Sequence, residues 1–252
     1  MTQKSTNRGR EERSDRTQKR ILRAAVQEFS THGLSGARTD RIADSANVNK
    51  ALLYYYFKSK QGLYEAALEG VAAKVVENAL AEFDPKYSAG EKLLRSALNH
   101  FDRILTQREF QSLMQQEMIR FRSGKSGSVP LLFRTAFAPL IRKMREAVED
   151  GIRTGELCPV DWLQVVYSIF GANVFYFLSA PMMEMALAFE PFSSKALKLR
   201  RKVAVHFLGT ALFTDRAVGA ELAERILRHM PMPRATNVQA RIDKFHARRK
   251  TL

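Results

Sequence analysis

Cysteine is nearly absent from this 252-residue chain. Only Cys158 is present, so an internal disulfide and any multi-cysteine metal site are excluded. Acid is scarce as well. Twenty-six Asp and Glu stand against 41 Lys and Arg, a formal charge of +15. A balance that basic points to an anionic partner, nucleic acid or an anionic surface, and says nothing about fold. Sustained period-two alternation is missing, so no β-strand is expected. Catalytic signatures are missing too. The five histidines (His32, His100, His206, His229 and His246) are scattered, and no H-E-x-x-H or G-x-S-x-G motif occurs. Lys125 lies in a Gly- and Ser-rich loop, but the residue order of a phosphate-binding loop is not there. No metal, no cofactor and no enzymatic activity are expected. The first twenty residues are polar and charged, which does not describe a secretory signal. A cytoplasmic protein is expected.

What the sequence does contain is helical periodicity. The densest information lies in Arg38 to Phe57, RTDRIADSANVNKALLYYYF. Thr39 is placed to cap a first short helix, whose apolar face is Ile42, Ala43 and Ala46. Asn47 suits the left-handed backbone just past a helix end. Asn49 is placed to cap a second helix. Leu53 and Phe57, four residues apart, share a buried face. Lys50, Ala51, Tyr54 and Tyr55 then face outward. A short helix with small residues, one cation and phenols outside suits the DNA major groove.

Thr17 to Leu68 resembles the N-terminal domain of tetracycline-repressor-type (TetR family) regulators. The likeness is carried by TQKRILRAAVQEFSTHG, RTDRIADSANV and NKALLYYYFKSKQGLYEAAL, in that order and spacing. Asn47 replaces the usual Gly. Ala51 and Leu52 replace the usual Gly and small polar residue, so base preference is not transferable from relatives. The resemblance implies double-stranded operator DNA as partner, with contacts from Arg38, Thr39, Asn49, Lys50, Ala51, Leu52, Tyr54, Tyr55, Tyr56 and Lys60. Chemistry assigns Lys50 to guanine O6 and N7. The three tyrosines match family positions that mostly bind phosphate through the hydroxyl. Thr39 and Lys60 match phosphate contacts at helix N-termini, where the dipole attracts anions.

The rest of the chain also reads as helices, which makes the fold all-α: a three-helix helix-turn-helix head and a larger helical body. Residues 1–14 are expected to be a disordered basic arm, either a solvated tail or an arm along the phosphate backbone. The DNA-binding domain is expected over 15–76, with its helix-turn-helix motif at 38–57. A ligand-binding and dimerisation domain is expected over 77–230, and a basic extension over 231–252. The first helix of the DNA-binding domain is expected from about Asp15 to His32. Ser88 and Glu91 have capping-box spacing. Pro139 predicts a kink in the helix spanning Val129 to Thr154. Gln164 to Met183 carries no charge and is long enough to cross a bilayer. Ser168, Gly171, Asn173 and Pro181 dilute it, so a soluble core helix ending near Ala180 is expected, and no membrane partner.

The resemblance implies a homodimer paired through Trp162 to Ala180 and Ser194 to Phe213. It also implies a small hydrophobic effector inside the body. The expected lining is Phe101, Phe110, Met114, Glu117, Met118, Phe121, Phe137, Met144, Phe170, Asn173 and Phe177. Phe and Met suit a deformable pocket and an ordinary core alike. Glu117 and Asn173 stand out as polar groups on apolar faces, each needing a partner. A repressor released by its effector is the family's usual mode. Activation, or regulation without an effector, is the alternative within the family. A non-specific basic DNA binder is the alternative outside it.

Overall fold

The structure is a computed structural model that describes residues 2–125, 128–187 and 189–233, with the side chains of 2–11 and 108 left aside. Helices dominate, and among the described residues there is no β-strand, only an isolated bridge between Leu157 and Phe213. The chain divides into two units.

The first unit holds residues 1–76 and 108–137. Its helices are α1 (Thr2–Gly36), α2 (Thr39–Ser45), α3 (Lys50–Phe57) and the greater part of α4 (Lys60–Leu80). To these it adds α6 (Arg108–Arg122), α7 (Ser128–Leu132) and a π-helical turn, Phe133–Phe137. Ile21, Ala25 and Phe29 of α1, Ile42 of α2, Leu53 of α3 and Leu63, Tyr64 and Leu68 of α4 form one core. Phe110 and Leu113 of α6 join it. The chain leaves this unit at Val76, where the sequence reading divides it, but residues 108–137 return to it because Phe110 and Leu113 of α6 are buried in its core. A buried polar contact fixes the register. The Tyr64 hydroxyl donates to Glu117 at 2.9 Å, and Glu117, with no exposed surface, also pairs with Arg120 at 2.7 Å. Burial and the neighbouring carboxylate push the Tyr64 phenol well above its ordinary pKa, so it stays a donor. Ser112 and Gln116 donate to the Ser30 carbonyl near the C-terminal end of α1, tying α6 to α1.

The arm expected to be disordered is helical from Thr2. Its residues lack apolar spacing but include many strong helix formers, and side chains at Arg16 and Thr17 bond back to the carbonyls of Glu12 and Arg13. The helix breaks at Gly33, whose φ of 69° lies in the left-handed region.

The second unit holds 77–107 and 138–252. A 3-10 turn, Ala81–Phe83, leads to α5 (Ala89–Thr106), then α8 (Ala138–Arg153), α9 (Trp162–Leu187), α10 (Ser194–Leu212) and α11 (Arg216–His229). Ser88, Asp161, Ser193 and Asp215 cap the helices that follow them. The capping box is only half formed. Ser88 accepts from the Glu91 amide, while the Glu91 carboxylate turns to Arg225. Pro139 stands two residues after the π-helical turn. A proline offers no N–H to the carbonyl four residues back and its ring crowds that carbonyl, which accounts for a widened turn where a kink is expected. The helix expected to end near Ala180 continues through Pro181 to Leu187. One lost backbone bond at the proline is outweighed by a following run of helix formers, Met182 to Leu187.

Two helices of this unit touch backbone to backbone. A Cβ on Gly209 would meet the Gly219 carbonyl oxygen at 2.5 Å, and one on Gly219 would meet the Gly209 oxygen at 2.0 Å. Nearby, Arg201 is 4% exposed, forms two hydrogen bonds of 2.8 Å to Asp102, and donates to the Met230 carbonyl. His100 packs its ring edge-to-face on Phe170 at 4.6 Å. Burial, then the charge of Arg103, pulls its pKa down to about 3. The basic extension from residue 234 onward lies outside the described residues.

Two stability predictions follow from these buried groups. Arg201→Met should cost about 3–5 kcal/mol in urea unfolding by stranding Asp102, and adding Asp102→Leu should recover most of it. His100 stays neutral in the folded chain below the point near 6.5 where the unfolded chain protonates it. Its contribution is therefore full above pH 6.5 and falls away between pH 6.5 and 3. Between pH 7 and 5 the unfolding constant of the native protein should rise about 25-fold more than that of His100→Gln.

Candidate nucleic-acid interface

Helix α2 enters through an extended Arg38, whose amide donates to Glu28 of α1 at 2.9 Å. Thr39 does not cap it, which corrects the expectation. Thr39 is already the first helical residue, and its buried hydroxyl meets the Tyr54 hydroxyl at 3.3 Å, tying α2 to α3. The turn matches the reading of the two asparagines. Asn47 has φ of 51°, and the Asn49 side chain accepts from the Leu52 amide at 2.7 Å. Leu53 alone is fully buried on α3. Val48 and Phe57 pack partly against the same core.

With Leu53 inside, the opposite side of α3 is open. Lys50 and Ala51 are exposed, and Tyr55 is 68% exposed. Tyr54 is half-buried and occupied with Thr39. Tyr56 turns toward α1, where it accepts from the Ser14 hydroxyl at 3.1 Å. The three tyrosines thus divide into an α2 strut, an exposed ring and an α1 contact, because consecutive residues point about 100° apart on a helix. Leu52 is half-buried, with its backbone spent on the Asn49 cap. The Lys60 amine donates to the Ser35 carbonyl at 3.0 Å, so it braces the last turn of α1.

Two residues absent from the sequence reading matter here. Asp40, in the first turn of α2, pairs with Lys50 at 2.7 Å, and both are about half exposed. The Lys50 ammonium holds the Asp40 carboxyl below its usual range, and Asp40 in turn raises Lys50. Lys58 closes α3 at φ of 64°, donates to the Tyr55 carbonyl at 2.8 Å and lies 5.4 Å from the Tyr55 ring centre. No spacing rule signals a lysine in that backbone conformation. Asp40 was open to a register argument, since it stands on α2 opposite the start of α3.

The expected effector lining is not brought together. Phe110, Met114 and Phe137 belong to the core of the first unit. Met144 and Phe170 belong to one cluster of the second unit, Phe101 and Phe177 to another. Met118 and Phe121, toward the C-terminal end of α6, are 53% and 49% exposed, although they share the helical periodicity of Phe110 and Met114. Glu117 is taken by Tyr64 and Arg120. Asn173 donates to the Ala97 carbonyl at 3.0 Å and lies 3.3 Å from His100. A cavity of about 180 Å³ in the first unit has other walls, among them Glu65, Leu68, Leu131 and Thr135.

This arrangement has known counterparts. Residues 21–67 match the family model "Bacterial regulatory proteins, tetR family", and residues 91–208 match "Tetracyclin repressor-like, C-terminal domain". The HTH-type transcriptional repressor SCO4008 of Streptomyces coelicolor is 51% identical over 53 residues, 21% of this chain and 28% of that protein. The chain thus spans under a third of that curated relative's length. The HTH-type transcriptional regulator RutR of Escherichia coli K12 is 27% identical over 171 residues, 66% of this chain and 76% of its own. The backbone is similar to that of a transcriptional regulator from Saccharomonospora viridis crystallised with choline, with a TM-score of 0.63 at 17% identity. That likeness covers 79% of this chain and 98% of the other. Matched at its front by one model and through its body by the other, the chain belongs to the tetR family of bacterial regulatory proteins.

Proposed function

We propose that this protein is a sequence-specific DNA-binding transcriptional regulator, a homodimeric repressor that a small hydrophobic effector releases from a near-palindromic operator. One observation carries the DNA-binding part: α3 hides Leu53 and turns Lys50, Ala51 and Tyr55 outward. Such a face fits the major groove, where Lys50 donates to guanine and Tyr55 reaches a phosphate or a thymine methyl. The net charge of +15 draws the chain to DNA of any sequence.

Dimerisation is supported by an apolar surface on the second unit. On α9, Tyr167, Phe175 and Leu178 are 65%, 62% and 58% exposed, and on α10 Phe207 is 66% exposed. Large apolar side chains this exposed normally have a covering partner. The same helix α9 is long and apolar enough to cross a membrane by composition. Its Val165, Val166, Ile169 and Phe177 are nevertheless buried in the unit's own core. A second copy of α9 and α10 covers the remaining face. Twofold pairing of two α3 helices then demands two half-sites. Release by an effector rests on family likeness. The choline complex of the Saccharomonospora viridis protein supports it as an instance of this fold holding a small molecule. Glu117 and Asn173 are satisfied inside the chain, so they do not add to it.

Operator DNA is obtained by selection from a random duplex library, and binding is followed by fluorescence anisotropy. Lys50→Ala should cut the preference for operator over random DNA about tenfold or more. Tyr55→Ala should weaken both alike where the ring serves a phosphate, and the operator alone where it serves a thymine methyl. Equal operator preference in Lys50→Ala removes the assignment of α3. The dimer is checked by sedimentation equilibrium, in which Phe175→Glu with Phe207→Glu should give a folded monomer.

A further inference from the structure

A carboxylate stands where this chain otherwise offers cations. Asp40 lies beside the outward face of α3, half exposed, in a protein with 41 basic and 26 acidic side chains. Near a phosphate backbone such a group repels, so its presence weakens binding to every sequence unless a base edge repays it. The pair links the first turn of α2 to the start of α3, but it is not alone in doing so. The α2–α3 junction is secured by Thr39 with Tyr54 and by the Asn49 cap. What the pair fixes is the position of two exposed groups of opposite character, 2.7 Å apart.

We propose that Asp40 is a specificity-determining residue: with Lys50 it forms a donor–acceptor couple that selects a cytosine next to a guanine in the major groove. This rests on the DNA-binding reading of α3 given above. The chemistry is complementary. Cytosine offers the N4 amino donor, which a carboxylate accepts, and guanine offers O6 and N7, which an ammonium serves. Adjacent bases are about 3.4 Å apart along the axis, close to the spacing of the couple. The ammonium has three donors, so Lys50 keeps one on Asp40 while giving two to guanine. Asp40 retains lone pairs for cytosine in the same arrangement. On a step lacking these edges the couple is the same, but the carboxylate faces the groove unpaired with any base. Asp40 thus adds discrimination by refusing wrong sequences as well as by binding the right one.

Parallel selections from a random duplex library, with the full chain as wild type, Asp40→Asn and Lys50→Ala, test this. The wild type should enrich half-sites holding adjacent cytosine and guanine. Asp40→Asn should keep the guanine, lose the cytosine preference by about tenfold, and bind random duplex more tightly than wild type. Lys50→Ala should lose the guanine. Thermal unfolding of Asp40→Asn should stay within a few degrees of wild type, which separates base reading from support of α2. Retention of the same cytosine by Asp40→Asn overturns the proposal. Loss of both positions together also overturns it, since Asp40 would then act only by holding Lys50. A wild type that enriches no sequence removes the DNA-binding reading itself, a result distinct from either.

Discussion

The burial of Leu53 is the constraint on which the front of the molecule depends. It is the one fully buried residue of an eight-residue helix. A helix that short has little stability of its own and is held by what it packs against. Fixing Leu53 among Ile42, Phe29 and Leu63 also fixes rotation, and rotation decides which side chains face outward. Thr39 and Tyr54 lock that angle from one side, Ser14 and Tyr56 from another. The exposure of Lys50, Ala51 and Tyr55 is thus a geometric result of one apolar contact and two hydroxyl pairs.

Polar groups inside the two units do a similar job at a larger scale. Glu117 joins α4 to α6 through Tyr64, and Arg201 joins α5, α10 and the end of α11 through Asp102 and Met230. Each is nearly free of solvent, so a mispacked arrangement would leave a charge without partners. They add definition to cores that are otherwise leucine, valine and phenylalanine, side chains compatible with several packings.

Helix positions and most caps were legible in the sequence because they follow from neighbours a few residues apart. Asn47, Asn49, Ser88 and Asp161 act as their residue types suggest. What could not be read was which face met which partner. Glu117 reads as a polar group that needs a partner, internal or bound, but Tyr64, 53 residues earlier, is not visible as that partner in a linear pattern. Met118 and Phe121 looked like lining because periodicity marks them apolar but does not say which unit buries α6. Thr39 was read as a cap on residue type, yet a hydroxyl can serve an adjacent helix equally well. The N-terminal segment failed as a prediction for the opposite reason. Apolar spacing was the test, and its helix rests on propensity and side-chain bonds to the backbone.

The meeting of Gly209 with Gly219 has a consequence for how the sequence can drift. Each carbonyl oxygen occupies the place where the other residue's methyl would stand. Neither site tolerates an alanine by a change of rotamer, since backbone and not a pliable side chain is in the way. The two helices therefore behave as a single plank. Descendants of this chain can exchange the side chains along its outer surface, and with them the company it keeps, while this seam stays unaltered.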